Sequence, residues 1–254
     1  MFWRLIPLLT TTGKLQMAID EWLLHQHLQG NIPPTLRFYT WQPVAISLGY
    51  HQKRYPEYWQ DLTWQGTSVD IVRRPTGGRA VLHQGDLTYS LITSGFPGSR
   101  IESYQAICEF LIQGWRSLSV DLVYGTAGRG YINNPNCFGT STGADLILPN
   151  GTKLIGSAQL RKKGGILQHG SMILAPDVEF CSHVFNSQPS PGVSNFPESF
   201  LSANDRGEDL INQIIEALII AAKECFKIQL ITEPLSDKEW VEIRNFANTN
   251  LYSV

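Results

Sequence analysis

A cysteine and a lysine stand out as residues of this sequence that could act directly on a substrate. Cys137 lies in NPNCFGTS, a stretch of loop composition, and Lys153 follows a predicted hairpin turn in GTKLIGSAQ. A cysteine thiolate is a strong nucleophile, and nearby positive charge favours its ionised form. An isolated loop cysteine is nevertheless more often incidental, and a lysine beside a turn is usually solvated. The residues alone leave both interpretations open.

A glycine pair, Gly77-Gly78, is the third candidate feature. Three arginines surround it in RRPTGGRAVLH: Arg73, Arg74 and Arg79. Because glycine has no side chain, two in succession permit a tight turn or a close approach of the backbone to a bound molecule. The composition alone favours the turn. His83 and His169 are further candidates, although a single histidine is usually a hydrogen-bonded structural side chain.

Several common kinds of site have no signature in the sequence. There is no GxxxxGK[ST] loop and no GxGxxG after a predicted strand, so the usual nucleotide-binding patterns are missing. There is no HExxH, and the four cysteines include no CxxC pair. We therefore expect no metal site and no disulfide framework.

Bulk composition is that of a globular protein. The 254 residues are 43% apolar and 17% charged, and the net charge of -2 argues against a general nucleic-acid binder. The first residues show no convincing secretory cleavage site, and the longest apolar run, ALIIAA at 217–222, is too short to span a bilayer. These features predict a cytoplasmic protein without a nucleic-acid or membrane partner.

The elements that must position the candidate residues alternate between helices and hairpins. Helical spacing of apolar residues predicts helices over 13–30, 101–118 and 208–226 and in the last 18 residues, and Ser99 with Glu102 forms a capping-box pattern. Strands are predicted at 35–41, 45–50 and 69–74. Residues 79–83 and 87–92 are predicted to pair with each other around Gln84-Gly85-Asp86.

The segment 144–174 predicts three consecutive antiparallel strands, with turns at Asn150-Gly151 and Gly164-Gly165. Together these elements predict an α+β fold with a mostly antiparallel central sheet flanked by helices. The loop 187–195 is the predicted boundary between a catalytic domain, residues 1–186, and a C-terminal helical extension, residues 187–254, packed on the same domain.

Two long motifs resemble signatures of the lipoate ligase and octanoyltransferase family, which shares its fold with biotin protein ligases. RRPTGGRAVLHQGDLTYS (73–90) resembles the arginine-glycine signature of that family. GTKLIGSAQLRKKGGILQHGSMIL (151–174) resembles the second signature, a lysine followed by a small-residue strand and a His-Gly-Ser strand. With QMAIDEWLL and IPPTLRFYTWQPVAISLGYHQ, the similarity covers about residues 15–175. The resemblance implies a biotin/lipoate protein ligase-like fold, consistent with the α+β prediction.

Within the family, the sequence is most similar to the cysteine-dependent octanoyl-[acyl carrier protein]:protein N-octanoyltransferases. In that type a Cys-Phe pair precedes the lysine signature, as Cys137-Phe138 stands 16 residues before Lys153. Arg79 after the glycine pair also resembles this branch more than the triple glycine of the ligases. Two departures remain: Gln84 stands where an aspartate commonly follows the histidine, and residues 125–136 match poorly.

The resemblance implies that octanoyl passes from octanoyl-acyl carrier protein to Cys137 as a thioester, and then to a lysine of a lipoyl-domain protein. Such acceptors are the glycine cleavage H protein and the E2 subunits of 2-oxoacid dehydrogenases. Lys153 would stabilise the thiolate and the developing oxyanion. No metal and no cofactor would be needed, and we expect a monomer. The substrate-binding residues that the resemblance implies are Arg73, Arg74, Gly77, Gly78, Arg79, Val81, His83, Gly156, Ser157, Ala158, His169 and Gly170.

Alternative functions remain open. An ATP-dependent lipoate-protein ligase would require ATP and magnesium, whereas an octanoyl amidotransferase between lipoyl-domain proteins would use the same cysteine chemistry. An inactive carrier-protein-binding module would be expected to lack Cys137 or Lys153, and both are present. If the two motifs face one site, their basic residues would form a rim that steers an acidic carrier protein. These residues are Arg73, Arg74, Arg79, Arg161, Lys162 and Lys163.

Overall fold

The computed structural model describes residues 1–125, 145–186, 207–250 and Tyr252. Its helices are α1 (Gly13–Leu28), α2 (Arg100–Ser117), α3 (Val178–Phe185), α4 (Gly207–Phe226) and α5 (Asp237–Thr249), with a short 3-10 helix at Glu57–Asp61. Its strands are β1 (Phe2–Thr11), β2 (Thr35–Trp41), β3 (Ala45–Leu48), β4 (Thr63–Trp64), β5 (Thr67–Ser68), β6 (Asp70–Arg73), β7 (Val81–His83), β8 (Asp86–Ser94), β9 (Val123–Tyr124), β10 (Leu146–Ile147), β11 (Lys153–Lys162), β12 (Gly165–Ile173) and β13 (Gln229–Thr232).

A mixed sheet of eight strands forms the centre of the fold, in the order β13-β1-β2-β8-β12-β11-β10-β9. Strands β13, β1 and β2 run parallel to one another, and every other neighbouring pair of this sheet is antiparallel. The predicted α+β fold with a mostly antiparallel sheet is therefore confirmed. A smaller sheet has the order β6-β3-β7, and β4 with β5 forms a separate two-stranded ribbon.

Helices cover both faces of the large sheet. Side chains alternate between the faces of a strand, so successive residues of β8 enter different cores. Leu91 packs with residues of α2 and α4, including Phe110 and Leu218. Ile92 packs in a second core with residues of α1 and α5, including Leu23. The sheet is thus the middle layer of three, and its central strands β2, β8 and β12 are buried on both sides.

Local signals begin the helices where the sequence predicts them. The Thr12 hydroxyl accepts a hydrogen bond from the Leu15 N–H at the start of α1. At the start of α2 the Ser99 hydroxyl accepts from Glu102 N–H (3.3 Å), and the Glu102 carboxylate accepts from Ser99 N–H (2.6 Å). The predicted capping box is therefore confirmed. No helix among the described residues is long and apolar enough to cross a membrane.

The three strands predicted within 144–174 are present as β10, β11 and β12, and consecutive strands pair antiparallel. The turn between the second and third strands has Lys163 and Gly164 at positive φ, +49° and +85°. This hairpin carries Lys153 at its first residue and His169 in its returning strand. One continuous unit of local structure therefore holds most of the second motif.

The predicted pairing of residues 79–83 with 87–92 is wrong. Strand β7 pairs with β3 in the small sheet, whereas β8 pairs with β2 and β12 in the large one. Between them, the Gly85 carbonyl accepts hydrogen bonds from Leu174 N–H (3.0 Å) and Ala175 N–H (2.8 Å). A β-carbon at Gly85 would overlap the Ala175 carbonyl. The turn therefore docks on the segment after β12 instead of closing a hairpin, and the first motif passes from one sheet to the other.

The C-terminal residues contain a strand as well as the predicted helices. Strand β13 pairs with β1, and α4 packs against α2. Tyr252 accepts a hydrogen bond from Arg73 N–H at its carbonyl (2.7 Å) and donates its hydroxyl to Glu21 (2.6 Å). The described part of this region therefore packs on the sheet and on the first motif. The predicted boundary loop at 187–195 lies outside the described residues.

Candidate active site

A cavity of about 570 Å³ lies where the large sheet, the small sheet and the start of α2 meet. The two motifs, which are separated by 60 residues of sequence, meet in its walls. The predicted site residues that line the cavity are Arg74, Gly77, Gly78, Val81, His83, Lys153, Gly156, Ser157, Ala158, His169 and Gly170. Arg73 and Arg79 are half-buried and lie next to lining residues in the sequence. Cys137 lies outside the described residues.

Lys153 is buried in the cavity wall and is not a solvated surface lysine. Its side chain is 3% exposed, and its Nζ lies 2.9 Å from the Asp145 Oδ1, which is also buried. Asp145 directly precedes β10, and β10 pairs with the start of β11, so the hairpin brings the two residues side by side. A positive charge is thereby held at the cavity in a fixed position. Asp145 has no signal of its own in the sequence.

Arg74 organises the glycine corner, defined here as residues 74–79. Its guanidinium donates to the Gly77 carbonyl (2.9 and 3.2 Å), to the Arg79 carbonyl (2.7 Å) and to the Ser47 carbonyl (2.7 Å). The residue is 5% exposed, so its predicted place in a surface rim is wrong. The cause is the tight corner itself, whose carbonyl groups turn inward and require a buried donor.

Glycine is required in this corner for steric reasons. Gly78 has φ +97°, and a β-carbon on it would approach the Arg74 guanidinium to 2.8 Å. A β-carbon at Gly49 would overlap the Gly78 carbonyl oxygen. Within the part of the chain that is described, the N–H groups of Gly77 and Gly78 donate to no protein acceptor. Both glycines line the cavity, and their N–H groups are not used by the described part of the protein.

His83 belongs to a buried chain of hydrogen bonds on one side of the cavity. Its Nδ1 lies 2.8 Å from the Asp86 Oδ2, its Nε2 lies 2.8 Å from the Ser47 Oγ, and its ring stacks on Trp41 at 3.8 Å. Burial lowers the pKa of His83, although the Asp86 carboxylate opposes this effect. Neutral His83 donates from Nδ1 to Asp86 and accepts the Ser47 hydroxyl proton at Nε2.

His169 forms the corresponding chain on the other side. Its Nδ1 lies 2.8 Å from the Asp20 Oδ2 and its Nε2 lies 2.6 Å from the Thr76 Oγ1. Asp20 is fully buried and forms an ion pair with Arg37 at 2.9 Å. Burial by itself raises the pKa of Asp20, but Arg37 and His169 outweigh it and bring the pKa below its usual value. Sequence analysis identified His169 but neither Asp20 nor Thr76.

Small residues keep the middle of the cavity open. Gly156, Ser157 and Ala158 of β11 pair with Ser171, Gly170 and His169 of β12, and a β-carbon at Gly170 would overlap the Ser157 hydroxyl. That hydroxyl accepts a hydrogen bond from Tyr89 at 2.8 Å. Apolar and aromatic side chains line the same space: Met17, Tyr39, Trp41, Val81 and Tyr104. An apolar chain of moderate length would fit such a lining.

Arg100 at the start of α2 is a basic residue of the cavity lining, and further basic residues lie on the β11–β12 hairpin. Arg161 donates to the Ser103 hydroxyl of α2, which joins the β11–β12 hairpin to that helix. Arg100 and Ile101, both exposed, begin α2 and line the cavity opening. Lys162 and Lys163 are exposed at the hairpin turn, as a steering rim requires, and Arg100 is a basic residue that the sequence analysis missed.

Comparison with known proteins gives a consistent result. Residues 12–216 match the model of the lipoyl protein ligase A/B catalytic domain. The chain is 34% identical over 271 residues to octanoyltransferase LipM of Bacillus subtilis, covering 99% of this chain and 96% of that protein. It is also 34% identical over 263 residues to octanoyltransferase LipM of Anoxybacillus flavithermus, covering 96% and 94%.

Solved structures share the fold. A T. acidophilum protein with bound lipoic acid superposes with a TM-score of 0.78 at 23% identity, covering 98% of this chain and 96% of that one. A lipoate-protein ligase A bound with ATP gives a TM-score of 0.73 at 24% identity, covering 98% and 96%. The predicted lipoate protein ligase-like fold is therefore confirmed.

Proposed function

This chain belongs to the lipoyl protein ligase A/B catalytic domain family, and from this premise we propose that it is an octanoyltransferase of protein lipoylation. Its donor is octanoyl-acyl carrier protein, and its acceptor is a lysine of a lipoyl-domain protein such as glycine cleavage H protein or a 2-oxoacid dehydrogenase E2. The observation that carries the proposal is the similarity to octanoyltransferases along nearly the whole chain.

The proposed reaction has two steps. The Cys137 thiolate attacks the carbonyl carbon of the octanoyl thioester, and the carrier-protein thiolate leaves and takes up a proton. The ε-amine of the acceptor lysine then attacks the new thioester, forms an amide, loses a proton and restores the Cys137 thiol. Exchange between thioesters is nearly balanced in free energy and amide formation is favourable, so no nucleotide is consumed.

Three features of the described residues support these steps: a buried positive charge, backbone donors and an apolar lining. The Lys153 ammonium, held by Asp145, provides positive charge for the thiolate and for the oxyanion of each tetrahedral intermediate. The N–H groups of Gly77 and Gly78 are available donors for the same oxyanion. The apolar lining around Val81 would take the octanoyl chain and exclude water from the thioester.

Octanoyl transfer should proceed equally well with and without ATP and magnesium. The reason is that the donor is already an activated thioester, so that no adenylate is required. Intact-protein mass spectrometry after mixing with octanoyl-acyl carrier protein and EDTA should detect an octanoyl adduct, and a lipoyl domain should remove it. ATP–pyrophosphate exchange dependent on free octanoate or lipoate would instead assign the protein to the ligases.

Removal of the two exposed lysines at the hairpin turn should weaken encounter with the donor. We expect Lys162→Ser/Lys163→Ser to raise KM for octanoyl-acyl carrier protein severalfold and to flatten its salt dependence, with kcat nearly unchanged, because rim charges act mainly on association. Lys223→Ser/Lys238→Ser, which removes two exposed lysines outside the cavity, is the matched control. An equal defect with a small neutral octanoyl thioester would refute docking as the cause.

A further inference from the structure

A buried chain of hydrogen bonds joins α1 to the glycine corner. It runs from the Asp20 carboxylate to His169 Nδ1 (2.8 Å) and from His169 Nε2 to the Thr76 hydroxyl (2.6 Å). Thr76 is 1% exposed and directly precedes Gly77-Gly78. His169 belongs to β12 of the large sheet, whereas the corner lies against the small sheet. The chain therefore connects two walls of the cavity.

The direction of the hydrogen bond between Asp20 and His169 follows from the charge of Asp20. Because Arg37 and His169 hold the pKa of Asp20 below its usual value, the group is a carboxylate and can only accept. The Tyr39 hydroxyl also donates to it at 3.1 Å. His169 must then donate from Nδ1 to Asp20. Its Nε2 forms the hydrogen bond with the Thr76 hydroxyl on the opposite side of the ring.

Several other hydrogen bonds hold the corner on the side of the small sheet. Gly77 and Gly78 have no side chains that could pack against a neighbour. The Arg74 guanidinium holds the Gly77 and Arg79 carbonyls from the side of the small sheet. The Thr76 carbonyl accepts from Tyr50 N–H at 2.8 Å on that same side. The hydrogen bond between the Thr76 hydroxyl and His169 reaches from the corner to the large sheet, on which Lys153 lies.

We propose that Thr76, through His169 and Asp20, is a positioning residue that fixes the glycine corner relative to the wall that carries Lys153. The inference rests on the proposed function in one respect, namely that Gly77 and Gly78 donate to an acyl oxygen. An error of about 1 Å in the placement of such donors can reduce a rate by about 10²-fold. The hydroxyl of Thr76, which touches no reacting atom, would thus control the rate of acyl transfer.

The test compares Thr76→Val, which removes the hydroxyl at nearly constant volume, with Thr76→Ser, which keeps it. We expect Thr76→Val to slow single-turnover acyl transfer about 10- to 100-fold with KM for the donor little changed, and Thr76→Ser to restore most of the rate. Thr93→Val is the control, because Thr93 is equally buried in β8 but does not line the cavity. Equal rates in Thr76→Val and the wild type, or a failure of Thr76→Ser to restore the rate, would overturn the proposal.

A double-mutant cycle with His169→Asn tests whether the two residues act as one chain. The asparagine amide can still donate toward Asp20 but is too short to reach Thr76. The double variant should transfer the acyl group no more slowly than the slower single variant. If the two residues acted independently, the fold-reductions of the two single variants would multiply, and this result would refute the hydrogen-bonded chain as the cause.

Amide hydrogen exchange separates this inference from the proposed function. Peptides that cover residues 74–80 should exchange at least about tenfold faster in Thr76→Val than in Thr76→Ser or Thr93→Val, because the corner opens locally. Unchanged exchange would overturn the positioning role even if the enzyme transfers octanoyl. Faster exchange in a protein whose wild type transfers no octanoyl would refute the proposed function and leave the positioning of the corner established.

Discussion

Replacement of Cys137 with alanine should abolish both the octanoyl adduct and all turnover. The expected defect is the largest for this protein, because without the thiol the acyl group has no covalent carrier between donor and acceptor. Intact-mass measurement with octanoyl-acyl carrier protein, followed by peptide mapping, would locate the adduct. The wild type should carry it at Cys137, and Cys137→Ala should remain unmodified while it keeps its thermal midpoint.

The other three cysteines are unsuited to this role. Burial raises the pKa of Cys108 to about 12 and the pKa of Cys181 and Cys225 to about 11, so that at neutral pH very little thiolate forms at any of them. Cys181→Ala/Cys225→Ala is therefore the matched control and should transfer octanoyl at nearly the wild-type rate. An adduct at Cys108, Cys181 or Cys225 would contradict the assignment of Cys137.

Local features of this protein were predictable because their partners lie close in sequence. The capping box joins Ser99 to Glu102, and the β11–β12 hairpin turns where Gly164 permits a positive φ. Both follow from backbone geometry that a few residues determine. The meeting of the two motifs in one cavity was expected from their resemblance to a family, not from periodicity or spacing.

The partners that hold the site were not predictable in the same way. Asp20 reaches His169 across 149 positions of sequence. The pattern around Gln84-Gly85 predicts a hairpin, since a glycine between two short apolar runs usually closes one. The carbonyl of Gly85 instead accepts hydrogen bonds from the N–H groups of Leu174 and Ala175, which follow β12. Long-range backbone bonding of this kind has no signature in composition or spacing.

Replacement of Lys153 with alanine should slow octanoyl transfer by roughly 10²-fold or more, on the scale of losing an oxyanion or acid–base group. Lys153→Arg should not restore the rate, because the larger planar guanidinium does not fit the space of the buried ammonium beside Asp145. The rate of acyl transfer in a single turnover, measured at saturating donor, is the quantity to compare.

Because Lys153 forms a buried ion pair with Asp145, the experiment must separate a loss of stability from a loss of acyl transfer. Lys153→Ala leaves the Asp145 carboxylate without the Lys153 ammonium, and breaking a buried pair on one side can cost about 3–5 kcal/mol of stability. Lys153→Met/Asp145→Asn removes both charges at similar volume and should unfold at nearly the wild-type temperature. If the positive charge acts on the reacting thioester, this double variant should be folded and as slow as Lys153→Ala. A folded double variant with near-normal transfer would show that Lys153 serves only to compensate Asp145.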